Sequence, residues 1–381
     1  MNSALCDQLG IDFPLFAFSH CRDVVAAVSR AGGMGVFGAV TLTPEQLENE
    51  LLWIDQNVDG RPYGVDLIVP EKLMGKGQAV SGEQLLQAIP PGHTDFAAGV
   101  LGEYGINSDG LEEARRESVH FAQNLQAGGA DALLEVAFSH PIRLVANALG
   151  VPPKSMLERG KDKGVAVAAL VGAKEHAVEQ VKAGVDILVA AGGEAGGHCG
   201  EVSTLVLVPE VIEAIRTYGE TPVLAAGGIV TGRQMAACMA MGAAGAWTGS
   251  VWLTTAEAET SPAVRDKLLR ASSRDTVRSR SRTGKPSRQL RSTWTDAWDS
   301  GSSPDPLPMP LQSLVSEPAL RKIDKLSQSG HEGARELATY WVGQGVGLMN
   351  QESSVRNVMQ EFQEDFLAAC ERLQIVTGVE V

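Results

Sequence analysis

The chain has 381 residues, 44% of them hydrophobic and 20% charged, a globular composition long enough for one large domain with an appendage. Its formal net charge of -14 and pI near 5.0 disfavour nucleic acid or an anionic membrane as a partner for the whole surface. No apolar run is long enough to span a bilayer, and "MNSALCDQLG" lacks a basic segment followed by an apolar one, so a cytoplasmic location without a membrane partner is expected.

In chain order, short apolar runs that end in Gly, Ser or Asn alternate with stretches of helical period, the signature of a parallel sheet built from βαβ units. Strands are predicted at 13–19, 33–39, 63–69, 143–149, 164–171, 185–191, 222–228 and 245–252. Eight such strands close most naturally into a (β/α)8 barrel. Between them, "DVVAAVSRAGG", "AKEHAVEQVKAG" and "GRQMAACMAMGA" place apolar residues at helical spacing and end in Gly, as crossover helices do. "ADALLEVAFSH" is also read as a helix, because Leu133, Leu134, Ala137 and Phe138 recur at helical spacing. The expected organisation is a barrel over 1–255 with a helical insertion at about 71–130, a mainly helical or irregular cap over 256–334, and a segment 335–381 that returns to the barrel and closes as an amphipathic helix. "SGSSPDPLPMPLQS" within the cap cannot be continuous helix or strand.

The cysteines Cys6, Cys21, Cys199, Cys238 and Cys370 form no C-x-x-C pair, so reduced thiols are expected. The neighbours His20–Cys21 and His198–Cys199 have no carboxylate at ligand spacing, and no metal is expected. One local exception to the acidic balance is "RDTVRSRSRTGKPSRQLR", with seven basic residues and one acid.

Chemistry concentrates where barrel strands end. After the sixth strand, "AAGGEAGGHCG" surrounds Glu194 and His198 with glycines; an imidazole there is placed to accept a carbon-bound proton near neutral pH. After the last two strands, Gly227, Gly228, Gly249 and Ser250 can present backbone N–H groups to a phosphate. No dinucleotide fingerprint or P-loop occurs in a suitable context.

"GGEAGGHCGEVSTLVLVPEV" and "PVLAAGGIVTGRQMAACMAMGAAGAWTGSVWL" resemble the nitronate monooxygenase family, formerly the 2-nitropropane dioxygenases, which are FMN-dependent (β/α)8 barrels. "GIDFPLFAF", "AGGMGVFGA", "GVD", "TGKPSRQLR" and "VGQGVG" extend the likeness through most of the chain, and the E-A-G-G-H-x-G element also occurs in flavin-dependent enoyl-acyl-carrier-protein reductases. The resemblance implies that His198 is the active-site histidine and that the loop glycines let the backbone approach a flavin. Gly228, Gly249 and Ser250 would cradle the FMN phosphate, Asp66 would stand where the family usually has Asn near the pyrimidine edge, and Gln344 would fold back near the flavin. Ala17, Phe18, Ser19, Ala191, Gly193, Glu194, Gly196, Gly197, Gly227, Trp247 and Thr248 complete the implied cofactor wall.

Three departures affect the substrate side. "FAFSHC" replaces the usual Pro-Met with small residues, making His20 a second candidate acid or base; Ala191 stands where many members carry Gln; and an aromatic wall would draw on Phe18, Trp247, Trp252, Trp294 or Tyr340. His20 and Trp294 are the candidate substrate contacts. The implied reaction is oxidation of alkyl nitronates, and of nitroalkanes, with O2 to a carbonyl compound and nitrite. The alternative is an NAD(P)H-dependent flavin reductase of an enoyl thioester or quinone, with the basic run meeting substrate phosphates; a flavin-binding protein without turnover is a third class. Monomer and homodimer both remain open.

Overall fold

A computed structural model describes residues 3–69, 81–125 and 130–378. Eleven strands occur among them: β1 (Leu15–Ser19), β2 (Met34–Gly38), β3 (Tyr63–Leu67), β4 (Leu144–Asn147), β5 (Ala166–Val171), β6 (Ile187–Ala191), β7 (Gly197–His198), β8 (Val223–Ala226), β9 (Gly245–Thr248), β10 (Thr276–Ser279) and β11 (Ser287–Leu290). β1–β6, β8 and β9 form a closed parallel barrel in which β9 pairs back onto β1, with Ala17 opposite Thr248. Each barrel strand falls inside a segment predicted as strand, and "ADALLEVAFSH" is helical over Asp131–Ser139.

The period-2 alternation of a strand divides each sequence between two cores. Phe16, Met34, Val36, Leu144, Ile187, Val189, Leu224 and Trp247 fill the barrel interior, while Leu15, Ala17, Val171, Leu188, Val223 and Ala246 face the surrounding helices. The first helix, Ala4–Leu9, adds Leu5, Cys6 and Leu9 to the interior cluster and so plugs the N-terminal end of the barrel. At that same end the Tyr63 hydroxyl donates to Asp55 at 2.6 Å, and His140 bridges Asp55 (2.7 Å) and Glu48 (3.2 Å), which ties β3 to its flanking helices.

The crossover helices stop as the sequence suggests. Lys154–Lys163 and Lys174–Ala183 end on Gly164 and Gly184 at φ +65° and +97°, a left-handed turn that glycine adopts without strain. Between β3 and β4 the described residues form five helices, from Gly82–Gln87 to Asp131–Ser139; the start of the expected insertion, 71–80, lies outside the described residues, as do 126–129. The last predicted strand ends early, at Thr248. The Trp252 indole donates to both the Thr248 hydroxyl (3.0 Å) and its carbonyl (3.2 Å), and Ser250–Thr254 becomes a 3-10 turn.

The segment 256–334 is mainly helical and irregular, as expected, with one short exception. It contains the helix Leu311–Gln328, but also an antiparallel hairpin of β10 and β11 whose second strand pairs with β7, Ser287 opposite His198. The hairpin carried no apolar alternation because its inner side is polar: Ser279, Ser281, Ser287 and Gln289 are all buried. Gln289 Nε2 donates to Ser281 Oγ, and the Ser281 carbonyl accepts from Gln312 and Ser316.

The C-terminal helix Val355–Thr377 packs on Gly232–Ala240 so closely that a Cβ on Gly232 would lie 1.9 Å from the Phe362 carbonyl oxygen. Gly232→Ala is therefore expected to cost about 1–3 kcal/mol in urea unfolding. Gly99→Ala, on an exposed helix face with nothing within 4 Å of the new methyl, should instead gain up to about 1 kcal/mol.

Candidate active site

The C-terminal ends of the barrel strands meet the small sheet of β7, β10 and β11, and the glycine loop between β6 and β7 lies between them. That loop is fixed from three directions. The Glu194 carboxylate accepts from the backbone N–H (2.8 Å) and hydroxyl (2.9 Å) of Thr204, the first residue of the helix Thr204–Ile215, where the helix dipole favours a negative charge. Arg288 on β11 donates twice to the Gly193 carbonyl, at 2.9 and 2.7 Å. From the far end of the chain, Gln344 N–H donates to the Glu194 carbonyl at 2.9 Å, and Gly343 N–H donates to Ser250 Oγ at 2.8 Å.

Most of the loop's glycines make room for the protein itself. A Cβ would lie 2.2 Å from Thr204 Oγ1 at Gly192, 2.8 Å from Gly343 N at Gly196, and 2.8 Å from the Gly172 carbonyl at Gly200. Gly197, at φ +75°, faces open space. Glu194 is thus a tether whose carboxylate is engaged by Thr204.

His198 is exposed, yet the surrounding protein desolvates its ring. Its Nε2 lies 2.8 Å from Thr283 Oγ1 in the turn between β10 and β11, and its Nδ1 has no partner among the described residues. Desolvation, then the positive charge of Lys285, lowers its pKa to about 4, so the ring is a neutral imidazole at physiological pH. His20 is also accessible; its Nδ1 is 2.8 Å from the Gly38 carbonyl and its ring meets Phe18 edge-on. Burial, aided by the charge of Arg282, likewise lowers its pKa against the Gly38 hydrogen bond.

Asp66 occupies the inner face of β3, level with Gly38 and Ala146. Its carboxyl is 4% exposed and has no hydrogen-bond partner among the described residues, and burial pushes its pKa well above the usual carboxylate range. Phe18 and Trp247 stack with centroids 6.4 Å apart, and Ala191 lies on the inner face of β6. At the ends of β8 and β9, the backbone N–H groups of Gly227, Gly228, Gly249 and Ser250 have no acceptor among the described residues. Ser250 Oγ accepts from Gly343 and keeps its own proton for another acceptor, while the side-chain amide of Gln344 makes no hydrogen bond among the described residues.

Several candidate side chains are buried or engaged by the protein itself. Ala17 and Thr248 have the strand phase that turns a side chain outward: Ala17 is fully buried against the helices, and Thr248 Oγ1 donates to the Phe16 carbonyl at 2.9 Å. The Ser19 hydroxyl turns back to accept from Cys21 N–H. Trp294 and Trp252 are 0% and 1% exposed, the former packed against Trp298, so neither offers a surface to substrate. The Cys199 thiol is pushed up by burial and stays protonated at neutral pH. The His–Cys neighbours do not converge on a centre; among the described residues the one cluster of three metal-ligand types is Cys21, Asp23 and Glu259, without either histidine.

The basic run is largely consumed internally. Arg278 pairs with Glu201, Arg280 with Asp305, Arg282 with Glu317 and Arg291 with Asp296, and Arg288 holds Gly193. Arg274 and Lys285 have no side-chain hydrogen bond or ion pair among the described residues. The Arg282–Glu317 pair, Trp341 stacked 3.8 Å from the Arg282 guanidinium, and Thr283 escaped the sequence reading. "RTGKPSR" was visible as a motif, but only the hairpin brings its threonine to the histidine.

The sequence matches the nitronate monooxygenase family over residues 2–365. It is 52% identical over 376 residues to a Mycobacterium tuberculosis protein named "Putative monooxygenase Rv1533", a match covering 98% of this chain and 99% of that one. The fold is similar to that of nitroalkane oxidase from Streptomyces ansochromogenes, with a TM-score of 0.77, 25% identity, and coverage of 97% of this chain and 100% of the other. A structure of a FabK mutant from Thermotoga maritima is also similar, with a TM-score of 0.67 and 25% identity over 98% of this chain and 99% of that chain. With an accessible neutral histidine at the C-terminal end of a closed eight-stranded barrel and a family match that spans nearly the whole sequence, the chain belongs to the nitronate monooxygenase family of oxidoreductases.

Proposed function

We propose that the protein uses FMN and O2 to oxidise alkyl nitronates, and nitroalkanes after their deprotonation, to a carbonyl compound and nitrite. The observation that carries this reading is His198: accessible, neutral, tied through Nε2 and free at Nδ1 among the described residues. The likeness to a nitroalkane oxidase supports the same substrate class.

The residues at the mouth suit FMN. The four unpartnered N–H groups of Gly227, Gly228, Gly249 and Ser250 form a nest for its phosphate. Asp66, whose pKa burial pushes up toward the protonated form, would in that form offer one donor and one acceptor, much as an Asn amide does, to the pyrimidine edge. Phe18, Ala191, Trp247 and the backbone around Gly197 wall the ring, and the Gln344 amide is free to reach it. FMN, when bound, supplies the electron acceptor for the nitronate and the route to O2.

The chain's own residues manage the proton and the charge. His198 Nδ1 takes the Cα proton of a neutral nitroalkane, whose electron pair moves onto the nitro group. The Lys285 ammonium, without a carboxylate partner among the described residues, favours the anion that results. His20 contributes to substrate choice from beside Phe18, within the field of Arg282. A reductase using NADH or NADPH would draw support from the basic run, but most of that run is already engaged by protein acceptors.

Anaerobic addition of an alkyl nitronate is expected to bleach the visible flavin band of the purified holoprotein; bleaching by NADH or NADPH with no response to nitronate would replace this reading with the reductase. His198→Asn should retain FMN and lower kcat/KM for a neutral nitroalkane by about 10²–10⁴-fold while affecting the nitronate far less. Equal losses on both substrates would remove the base role. Because the folded His198 has a pKa of about 4 against 6.5 for the free side chain, the unfolded chain binds the extra proton first as pH falls. Its contribution therefore destabilises the fold progressively from about pH 6.5 down to about pH 4, and acid unfolding curves of His198→Asn should be flatter across that window.

A further inference from the structure

We propose that Thr283 is a positioning residue that fixes His198 in its Nε2–H tautomer and so leaves the lone pair on Nδ1, the ring nitrogen without a partner among the described residues; the catalytic consequence rests on the base role of His198 proposed above. The argument is one of hydrogen-bond inventory. A threonine hydroxyl has one proton to donate and two lone pairs to accept with. Thr283 Oγ1 lies 3.3 Å from the Lys285 carbonyl, which can only accept, and 3.3 Å from the Lys285 N–H, which can only donate. With the hydroxyl proton directed to that carbonyl and one lone pair taken by that N–H, the second lone pair faces His198 Nε2 at 2.8 Å. The bond is satisfied when Nε2 carries the proton, and the neutral ring then has its lone pair on Nδ1.

The turn that presents Thr283 is rigid enough for this to be a constraint. Thr283 is 4% exposed. Gly284 N–H donates to the Arg280 carbonyl at 2.9 Å, and Arg280 Nε donates back to the Gly284 carbonyl at 3.0 Å. Gly284 sits at φ +82° with the Leu307 carbonyl oxygen 1.8 Å from where a Cβ would be, so the turn is pressed against the 307–309 segment. The other side of His198 is held by pairing with Ser287. In the proton step the substrate Cα–H bond breaks, its electron pair moves to the nitro group, and the proton forms a new N–H bond at Nδ1. The Nε2–H stays on Thr283 throughout, so no second proton has to move.

The test reads the tautomer before any substrate is added. Holoprotein labelled with 15N-histidine is examined by long-range 1H–15N correlation at pH 7, with His198 assigned by loss of its signals in His198→Asn. Wild type and Thr283→Ser are expected to show a protonated Nε2 and a bare Nδ1. Thr283→Val, of similar shape but without the hydroxyl, should show a mixture or the opposite tautomer, and kcat/KM for a neutral nitroalkane should fall at least about tenfold relative to that for the nitronate, with recovery in Thr283→Ser. A protonated Nδ1 in wild type, or an unchanged tautomer in Thr283→Val, overturns the proposal. If Thr283→Val does not fold, the wild-type spectrum alone decides the tautomer, and Thr283→Ala decides its dependence on the hydroxyl. A flavin unresponsive to nitronate would instead refute the proposed oxidation while leaving the tautomer measurement standing.

Discussion

The geometry of the mouth depends on one loop being pinned from both of its neighbours. Between β6 and β7 the chain has almost no side chains of its own with which to hold a shape, since glycine gains nothing from packing and loses the most backbone entropy on ordering. Its order comes from outside: a helix N-terminus takes the Glu194 carboxylate, and the Arg288 fork takes the Gly193 carbonyl. Charge-assisted hydrogen bonds of this kind are roughly twice as strong as neutral ones, and both act within a few residues of His198. The arrangement commits two charged groups to scaffolding, and neither of them bonds to His198.

A related division of roles explains the local electrostatics. The protein is acidic overall, yet its mouth carries the ammonium of Lys285 and the guanidinium of Arg282 close to two histidines. Burial is the main cause that disfavours the charged ring of each imidazole, and the neighbouring positive charge acts in the same direction. Asp66 shows the reverse case, a carboxyl whose pKa is pushed up because no charged group offsets its desolvation.

The cap is built to bring distant segments to this place. Arg282 is 6% exposed, and its bidentate pair with Glu317 of the helix Leu311–Gln328 joins hairpin to helix. Such a buried pair gains little net stability against a hydrophobic replacement, because desolvation offsets most of the attraction. Its effect here is one of register: with Trp341 stacked on the guanidinium, it sets the hairpin, the long helix and the 340–345 segment together around the turn that carries Thr283.

The barrel, its strand order, the helix stops and the glycine-bearing strand ends were legible in the chain alone. Those follow from interactions between near neighbours in the chain: apolar runs of strand length, helical spacing, and glycine where the backbone must reverse. The family resemblance, carried by contiguous motifs, was legible for the same reason. Tertiary structure alone decided that Ala17 and Thr248 face outward, because the phase of a strand is fixed by what covers each side, and that Trp294 is sealed in the cap. It also decided the fate of the basic run, whose acids Glu201, Asp305 and Glu317 are far away along the chain, and the meeting of His198 with Thr283, 85 residues apart. A hairpin whose buried face is serine and glutamine has no hydropathic signal, so that contact exists only once the polar groups have found one another in the fold.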